Sequence, residues 1–168
     1  MTIIYSRLVS LLEYDPMSGL FTWRAKRAPD IKPGDVAGTL RSDGYTAIRI
    51  DGAKYQAHRL AWLYVFGTLP SGQIDHFNGV RSDNRIANLR IATNSENCRN
   101  RPKRADNTSG FKGVSFEASS GKWRANAADS EGKWRSLGRH KTPEMAHAAY
   151  EKFTTEQHGN FKYQGAPA

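Results

Sequence analysis

The chain has 168 residues, 38% of them hydrophobic and 24% charged, which is typical of one ordinary folded domain or two small ones. No apolar run is long enough to span a bilayer, and the first residues lack the features of a secretory signal. Cys98 is the only cysteine, which excludes a disulfide or a cysteine-built zinc site within the chain. We therefore expect a cytoplasmic protein in a reducing setting, without membrane association.

The charge indicates a class of partner. Lysine and arginine number 25 against 16 acidic residues, giving a net charge of +9 and a pI near 9.8. Such a protein is attracted to polyanions, because each neutralised phosphate releases condensed counterions. No basic amphipathic helix suggests a membrane surface. Nucleic acid is the favoured partner, and a well-solvated basic surface is the alternative.

The first predicted elements are short. Leucines between Leu8 and Leu12 predict a helix, residues 15–19 read as a turn, and residues 20–23 as a strand. Alternating apolar residues on either side of a central Asp-Gly pair predict a β-hairpin over 45–57. An apolar-faced helix from Leu60 should follow and end at the next glycine.

Residues 73–100 carry the candidate chemistry, in the segment QIDHFNGVRSDNRIANLRIATNSENCRN. Asp75 and His76 are adjacent at the end of one apolar stretch, and a polar loop leads to Asn88 and a short strand. Thr93 begins a capping-box pattern, which predicts a helix that carries Asn97 on its first or second turn.

These residue types suit phosphodiester hydrolysis. A neutral imidazole can take a proton from water at physiological pH. The oxygen ligands of Asp75 and Asn97 favour Mg²⁺ or Mn²⁺ over zinc. Something must also orient the imidazole, and a backbone carbonyl in a well-tied loop would do so. Because consecutive strand side chains point to opposite faces, Asp75 and His76 need a local twist to serve one site.

Two stretches of the chain together resemble the HNH (ββα-metal) nucleases, especially those of phage homing and nicking enzymes: GYTAIRIDGAKYQAHRLAWLYVFG and IDHFNGVRSDNRIANLRIATNSEN. The resemblance implies that His76 is the general base and that Asp75 and Asn97 ligate one Mg²⁺ or Mn²⁺ per active site. Asn88 would tie down the loop and help to align His76. Many members carry histidine where this chain has Asn97, which leaves the metal preference open.

Structural roles are the alternatives for these residues. An Asp-His pair is often structural, and the two asparagines taken singly would be loop or capping residues. His58, just before a predicted helix, reads as a packed structural histidine, with a phosphate or metal role as the alternative. Three arginines are candidate phosphate contacts or simply solvated: Arg59, Arg81 and Arg85.

A basic stretch without apolar periodicity follows. We predict a nuclease domain over 1–98, a linker over 99–107 and a second domain over 108–168. The linker is either a plain solvated connection or a contact to phosphates through Arg101, Lys103 and Arg104.

The last part of the chain predicts three strands and a helix. The strands cover 111–116, 122–127 and 133–138, and a helix begins at Thr142, with proline as its first residue. The apolar residues of this helix recur at the spacing of a buried face, at Ala146, Ala149, Tyr150 and Phe153.

The other face of this sheet carries the candidate DNA contacts, namely Lys112, Trp123 or Arg124, Asn126, Arg135 and Arg139. Trp123 and Trp134 fit a core role equally well. Residues 110–159 resemble the Apetala/ethylene-response-factor domain, in the pattern of Gly113-Val114, Lys122-Trp123, Leu137-Gly138 and Ala148-Ala149-Tyr150. The resemblance implies major-groove binding through the sheet.

Together these features predict an α+β protein: a ββα-metal nuclease unit followed by a three-stranded antiparallel sheet packed on one helix. We expect a metal-dependent endonuclease of the phage homing type that nicks double-stranded DNA in the cytoplasm of a bacterial host, with no cofactor besides the metal. A monomer and a homodimer both fit. The alternatives are a DNA-binding regulator with an inactive nuclease scaffold and a restriction or defence nuclease.

Overall fold

The computed structural model describes residues 3–100, 103 and 106–159. The chain divides into two compact units, and the division falls between Thr93 and Asn94. It therefore lies a few residues before the end of the predicted nuclease domain. The predicted linker over 99–107 stays a prediction, and Arg101 and Arg104 lie outside the described residues.

The first unit opens with a helix that leads directly into a hairpin. Helix α1 (Tyr5–Leu11) is followed by the antiparallel strands β1 (Leu12–Asp15) and β2 (Leu20–Trp23), and the short strand β3 (Val36–Ala37) pairs with β2. Leu12 was predicted in the helix but begins the strand, where it is fully buried. The turn and second strand are confirmed.

A second three-stranded sheet and a helix form the next layer. Strand β4 (Thr39–Leu40) pairs with β5 (Thr46–Ile50), which pairs with β6 (Ala53–Gln56), all antiparallel. Helix α2 (Ala57–Phe66) follows at once and ends at Gly67, whose left-handed backbone (φ 73°) closes the last turn. The predicted hairpin and helix are confirmed. The two-residue strands β3 and β4 were not predicted, since so short a segment has no periodicity.

The segment with the candidate chemistry forms a two-stranded ribbon. Strand β7 (Gln73–His76) pairs antiparallel with β8 (Leu89–Ala92), and a single 3₁₀ turn (Ile86–Asn88) leads into β8. Ile74 of β7 and Leu89 of β8 are buried in the main hydrophobic cluster of the first unit. That packing holds the ribbon against α1, α2 and the two sheets.

The second unit contains helix α3 (Asn94–Arg99) and an antiparallel sheet of β9 (Val114–Glu117), β10 (Lys122–Ala128) and β11 (Trp134–His140), with β10 in the centre. Helix α4 (Pro143–His158) packs on this sheet, and the Thr142 hydroxyl caps it by accepting from the Met145 amide at 3.3 Å.

The α+β fold class is confirmed by these elements, as is the three-stranded sheet on one helix. The first strand of that sheet begins at Val114, three residues later than predicted. Gly113 has a positive φ of 74°, and a Cβ there would lie 2.3 Å from the Tyr150 ring. The buried face of α4 contains Ala146, Tyr150 and also Thr154.

Among the described residues, no helix is both long enough and apolar enough to cross a membrane.

Candidate active site

Asp75 and His76 are both buried in the first unit, at 5% and 4% exposure. Asp75 lies directly opposite Arg90 on β8, and the Arg90 Nε donates to Asp75 Oδ2 at 2.8 Å. The Arg90 Nη2 is 2.7 Å from the same oxygen, and the guanidinium stacks over the Phe77 ring at 4.8 Å. The Asp75 carboxylate is therefore held by a cation from the neighbouring strand.

The imidazole of His76 is oriented by a side-chain amide. Its Nε2 lies 3.4 Å from Oδ1 of Asn84, which is itself buried. The amide nitrogen of Asn84 donates to the Ser82 carbonyl at 3.0 Å, so the oxygen of Asn84 faces the imidazole. An amide oxygen can only accept, which places the proton of a neutral His76 on Nε2 and a lone pair on Nδ1.

Burial also favours the neutral form of His76. Removal from water lowers the pKa of the imidazole, and the Asn84 contact and the charges of Asp75 and Asp83 oppose this only in part. With its pKa below the usual value, His76 is uncharged at physiological pH. A neutral imidazole with a lone pair on Nδ1 can accept a proton.

His58 packs inside the first unit rather than facing solvent. Its ring meets His76 edge to face, with centroids 5.0 Å apart, and Tyr45 lies 5.4 Å from His58 and 5.8 Å from His76. Burial, followed by the positive charge of a protonated His76, lowers the pKa of His58 to about 3. Within the described part of the chain, His58 Nδ1 has no hydrogen-bond partner.

Asn88 closes the loop between the two strands of the ribbon. Its Oδ1 accepts from the Asn78 amide at 3.0 Å, and its Nδ2 donates to the Asp83 carbonyl at 2.8 Å. The backbone of Phe77 donates to the Asn88 carbonyl at 2.8 Å. Both ends of the loop are thus tied to one asparagine, which keeps Asn84 beside His76.

The β1–β2 hairpin supports this loop from the other side. The hydroxyl of the buried Tyr14 donates to the Asn84 carbonyl at 2.8 Å. The hairpin turn comes so close that a Cβ on Gly19 would lie 2.4 Å from the Arg85 amide nitrogen. The β1–β2 hairpin therefore helps to position the loop that orients His76.

The three candidate phosphate contacts near the ribbon have different surroundings. Arg59 is half-buried on α2. Arg81 is exposed, donates to the Asp43 carbonyl at 2.8 Å and stacks over Tyr45. Arg85 is exposed and forms two hydrogen bonds to the Asp83 carboxylate, at 2.8 and 2.6 Å.

The other predicted metal ligand belongs to the second unit. Asn97 is half-buried on α3, and this helix is held within that unit by Arg99, whose Nη2 donates to the Ser130 carbonyl at 2.6 Å. The Lys112 ammonium donates to the Arg99 carbonyl at 2.6 Å, and burial lowers the pKa of Lys112 to about 8. Lys112 therefore supports α3 in this structure.

The candidate DNA contacts on the sheet of the second unit are distributed over its two faces. Arg124 lies opposite Arg139 and Asn126 opposite Ser136, on the face away from the core residues Val114 and Ala125. Trp123 packs against that core, whereas Trp134 is largely exposed.

The remaining candidates bind other parts of the second unit. Arg135 pairs with Asp129 at 2.8 Å, and Arg139 with Glu117, whose pKa falls to about 2 because Arg139 and Ser120 hydrogen-bond to it. Lys103 is exposed and donates to the Gly110 carbonyl at 2.9 Å.

The donor set near His76 suits a hard divalent cation. Asp75 supplies carboxylate oxygen, and Asn97 stays a predicted ligand. Among the described residues, no cluster of three or more histidine, cysteine, aspartate or glutamate side chains could hold a metal.

Asn84, Arg90 and Tyr14 were not singled out from the sequence. Their roles depend on strand register and on contacts between distant segments, such as that between Tyr14 and Asn84. A polar Asp-Asn pair in the loop was visible as a pattern, but the loop conformation decides which of its amides reaches His76.

Residues 55–99 match the family model described as HNH endonuclease. Protein 3.8 of Escherichia phage T7 is 32% identical to this chain over 105 residues, which cover 62% of the chain and 85% of Protein 3.8. The chain belongs to the family of Protein 3.8 and contains an HNH endonuclease domain. No solved structure shows a significant match to the chain.

Proposed function

We propose that this protein is a metal-dependent DNA endonuclease in which His76 activates the attacking water. The observation that carries the proposal is the contact between His76 and Asn84 inside the HNH domain. It leaves Nδ1 of a neutral imidazole as the proton acceptor. Water attacks the scissile phosphorus as it gives its proton to Nδ1, and the P–O bond to the leaving nucleotide oxygen breaks.

Asp75 is the proposed metal ligand of the first unit, with Asn97 as the predicted second ligand. Mg²⁺ or Mn²⁺, when bound, would neutralise charge on the scissile phosphate and on the leaving oxygen. The Arg90 guanidinium pairs with the Asp75 carboxylate at 2.7 Å in this buried position. Asn88 acts through the loop and touches neither water nor phosphate in this scheme.

The second unit is the proposed DNA-anchoring part of the molecule. The resemblance of residues 110–159 to the Apetala/ethylene-response-factor domain supports this role, and so does the outer sheet face with Arg124, Asn126 and Arg139. Arginine and asparagine side chains on a ribbon of strands can read base edges in the major groove. The proposed phosphate contacts are Arg59, Arg81, Arg85, Arg101, Lys103 and Arg104.

One active site per chain favours nicking of a single strand, and the family resemblance favours a homing-type role in a phage. A double-strand break would require a dimer or two successive visits. The alternatives are a restriction or defence nuclease, and a DNA-binding regulator that never cleaves.

The proposal is tested with supercoiled plasmid that contains DNA from the source genome, in Mg²⁺, Mn²⁺ or EDTA. We expect the wild type to produce open circles with metal only, and His76→Ala to produce none. His147→Ala, a matched histidine replacement on α4, should cleave at the wild-type rate. Circular dichroism confirms that each variant is folded.

Two outcomes would overturn the proposal. A wild type that retards DNA in a gel but cleaves it with neither metal supports the regulator. A folded His76→Ala protein that nicks as fast as the wild type removes His76 from the mechanism.

A further inference from the structure

Two cations face each other on the outer side of the first unit. Ile48 and Ile50 of β5 are buried, so Arg49 between them points to the opposite, exposed face of the sheet. In the antiparallel register Arg49 lies directly opposite Lys54 of β6, which is also exposed. Like charges in directly opposed positions destabilise a β-sheet.

Among the described residues, neither Arg49 nor Lys54 forms an ion pair. The adjacent carboxylate of Asp51 pairs with other cations: it binds Arg7 at 2.8 Å and lies 3.8 Å from Arg27. The two opposed cations therefore concentrate positive charge on this face of the sheet.

Arg49 and Lys54 line an open groove of about 1030 Å³ within the first unit, which we call the basic groove. Arg27, stacked on the Trp23 ring at 4.9 Å, and Arg41, which pairs with Asp43 at 2.9 Å, also line the groove. Asp35 is the only acidic residue among those that line it. Its Oδ2 accepts from the backbone amide of Lys32 at 2.7 Å.

The groove also has an apolar side. Val36 and Leu40, which line it, are 61% and 64% exposed. A sugar-phosphate backbone presents anions at regular intervals with apolar sugar edges between them. Cations interspersed with exposed aliphatic side chains complement that pattern.

We infer that the basic groove binds the sugar-phosphate backbone of double-stranded DNA, as a contact separate from the sheet of the second unit. The choice of DNA as the polyanion rests on the proposed function. The choice of this groove as its binding surface rests on charge complementarity. Contacts to phosphate position a protein on the duplex without reading its sequence. The groove therefore raises affinity for all sequences alike and holds the HNH domain on DNA.

The test measures binding of a fluorescent 30-base-pair duplex in EDTA, at several salt concentrations, so that cleavage does not enter. Each lost phosphate contact lowers the slope of log K against log salt by about 0.9. We expect Lys54→Gln to lower the slope by about that amount and Arg49→Gln/Lys54→Gln by about twice as much. At moderate salt the double variant should bind roughly 10-fold more weakly, whatever the sequence of the duplex.

Lys152→Gln is the matched control, since Lys152 is an exposed lysine on α4 and its loss changes the net charge equally. Its slope should equal that of the wild type. The melting temperature of the double variant should not fall, because its substitutions remove a repulsion. If Lys54→Gln and Lys152→Gln are indistinguishable in slope and affinity, the inference is wrong.

A duplex RNA of the same length separates the two nucleic acids. If the double variant loses affinity for RNA but not for DNA, the groove is an RNA surface and the inference fails. If the wild type never cleaves DNA but the double variant still shows the expected decrease in slope, only the nuclease proposal is contradicted.

Discussion

Asn84 contacts His76 through its amide oxygen and Ser82 through its amide nitrogen, so one side chain connects the loop backbone to the imidazole. A side-chain amide thus takes the place that the sequence suggested for a backbone carbonyl. The two are chemically equivalent as acceptors, but only the amide can be removed by substitution. In the proposed mechanism, Asn84 is therefore a positioning residue that acts through His76.

We predict that Asn84→Ala lowers kcat of plasmid nicking by about 10-fold or more and leaves KM nearly unchanged, because the imidazole loses its orientation while the DNA contacts remain. Asn78→Ala is the control: it removes a hydrogen bond to Asp83 from the same loop but leaves the Asn84 contact to His76. Equal losses of kcat in the two variants would mean that Asn84 acts only by stabilising the loop.

At the scale of elements, the β1–β2 hairpin and the ribbon loop are packed backbone against backbone. Gly19 lies at the closest point, with a φ of +75° and no space for a Cβ beside Arg85. The turn was predicted from the sequence, but its partner was not, since the two segments lie far apart along the chain. This contact links the N-terminal hairpin to the HNH domain.

Gly19→Ala should lower the free energy of unfolding by about 3 kcal/mol, because backbone strain and a steric clash add together. Gly34→Ala should cost only about 1 kcal/mol, since Gly34 has a similar φ of +89° but no atom within 4 Å of its Cβ position. Urea unfolding measures both values. If the two variants lose the same stability, the close packing of turn and loop is not significant.

At the scale of the whole molecule, buried histidines make stability depend on pH. The pKa of His58 is about 3 in the folded protein and near 6.5 in an unfolded chain. The unfolded state therefore binds a proton that the folded state excludes, and stability falls as pH drops below 6.5 toward the folded pKa. Above pH 6.5 His58 is neutral in both states and no longer lowers the stability.

We predict that the wild type loses about 1.5 kcal/mol more of its unfolding free energy than His58→Phe does between pH 6.5 and pH 5. The phenylalanine keeps an aromatic ring beside Tyr45 and carries no ionisable group. Urea unfolding at pH 7, 6.5, 6 and 5 gives the comparison. Two parallel curves would show that His58 titrates normally in the folded protein.

The elements of the fold could be predicted largely from local patterns. The β5–β6 hairpin, the glycine that ends α2 and the capping threonine and proline of α4 each specify structure within a few residues. Such signals involve residues that lie close together along the chain, so they can be recognised in the sequence alone. The residue types and spacing of Asp75, His76 and Asn88 likewise indicated the HNH family, and residues 55–99 match the HNH endonuclease model.

The surroundings of those residues depend on contacts between segments that are distant along the chain. The pairing of Asp75 with Arg90 depends on the register between β7 and β8, and the contact of Asn84 with His76 depends on how the loop folds back. The opposition of Arg49 and Lys54 likewise follows from the register of a hairpin. Local propensity determines which elements form, whereas register and long-range packing determine which side chains meet.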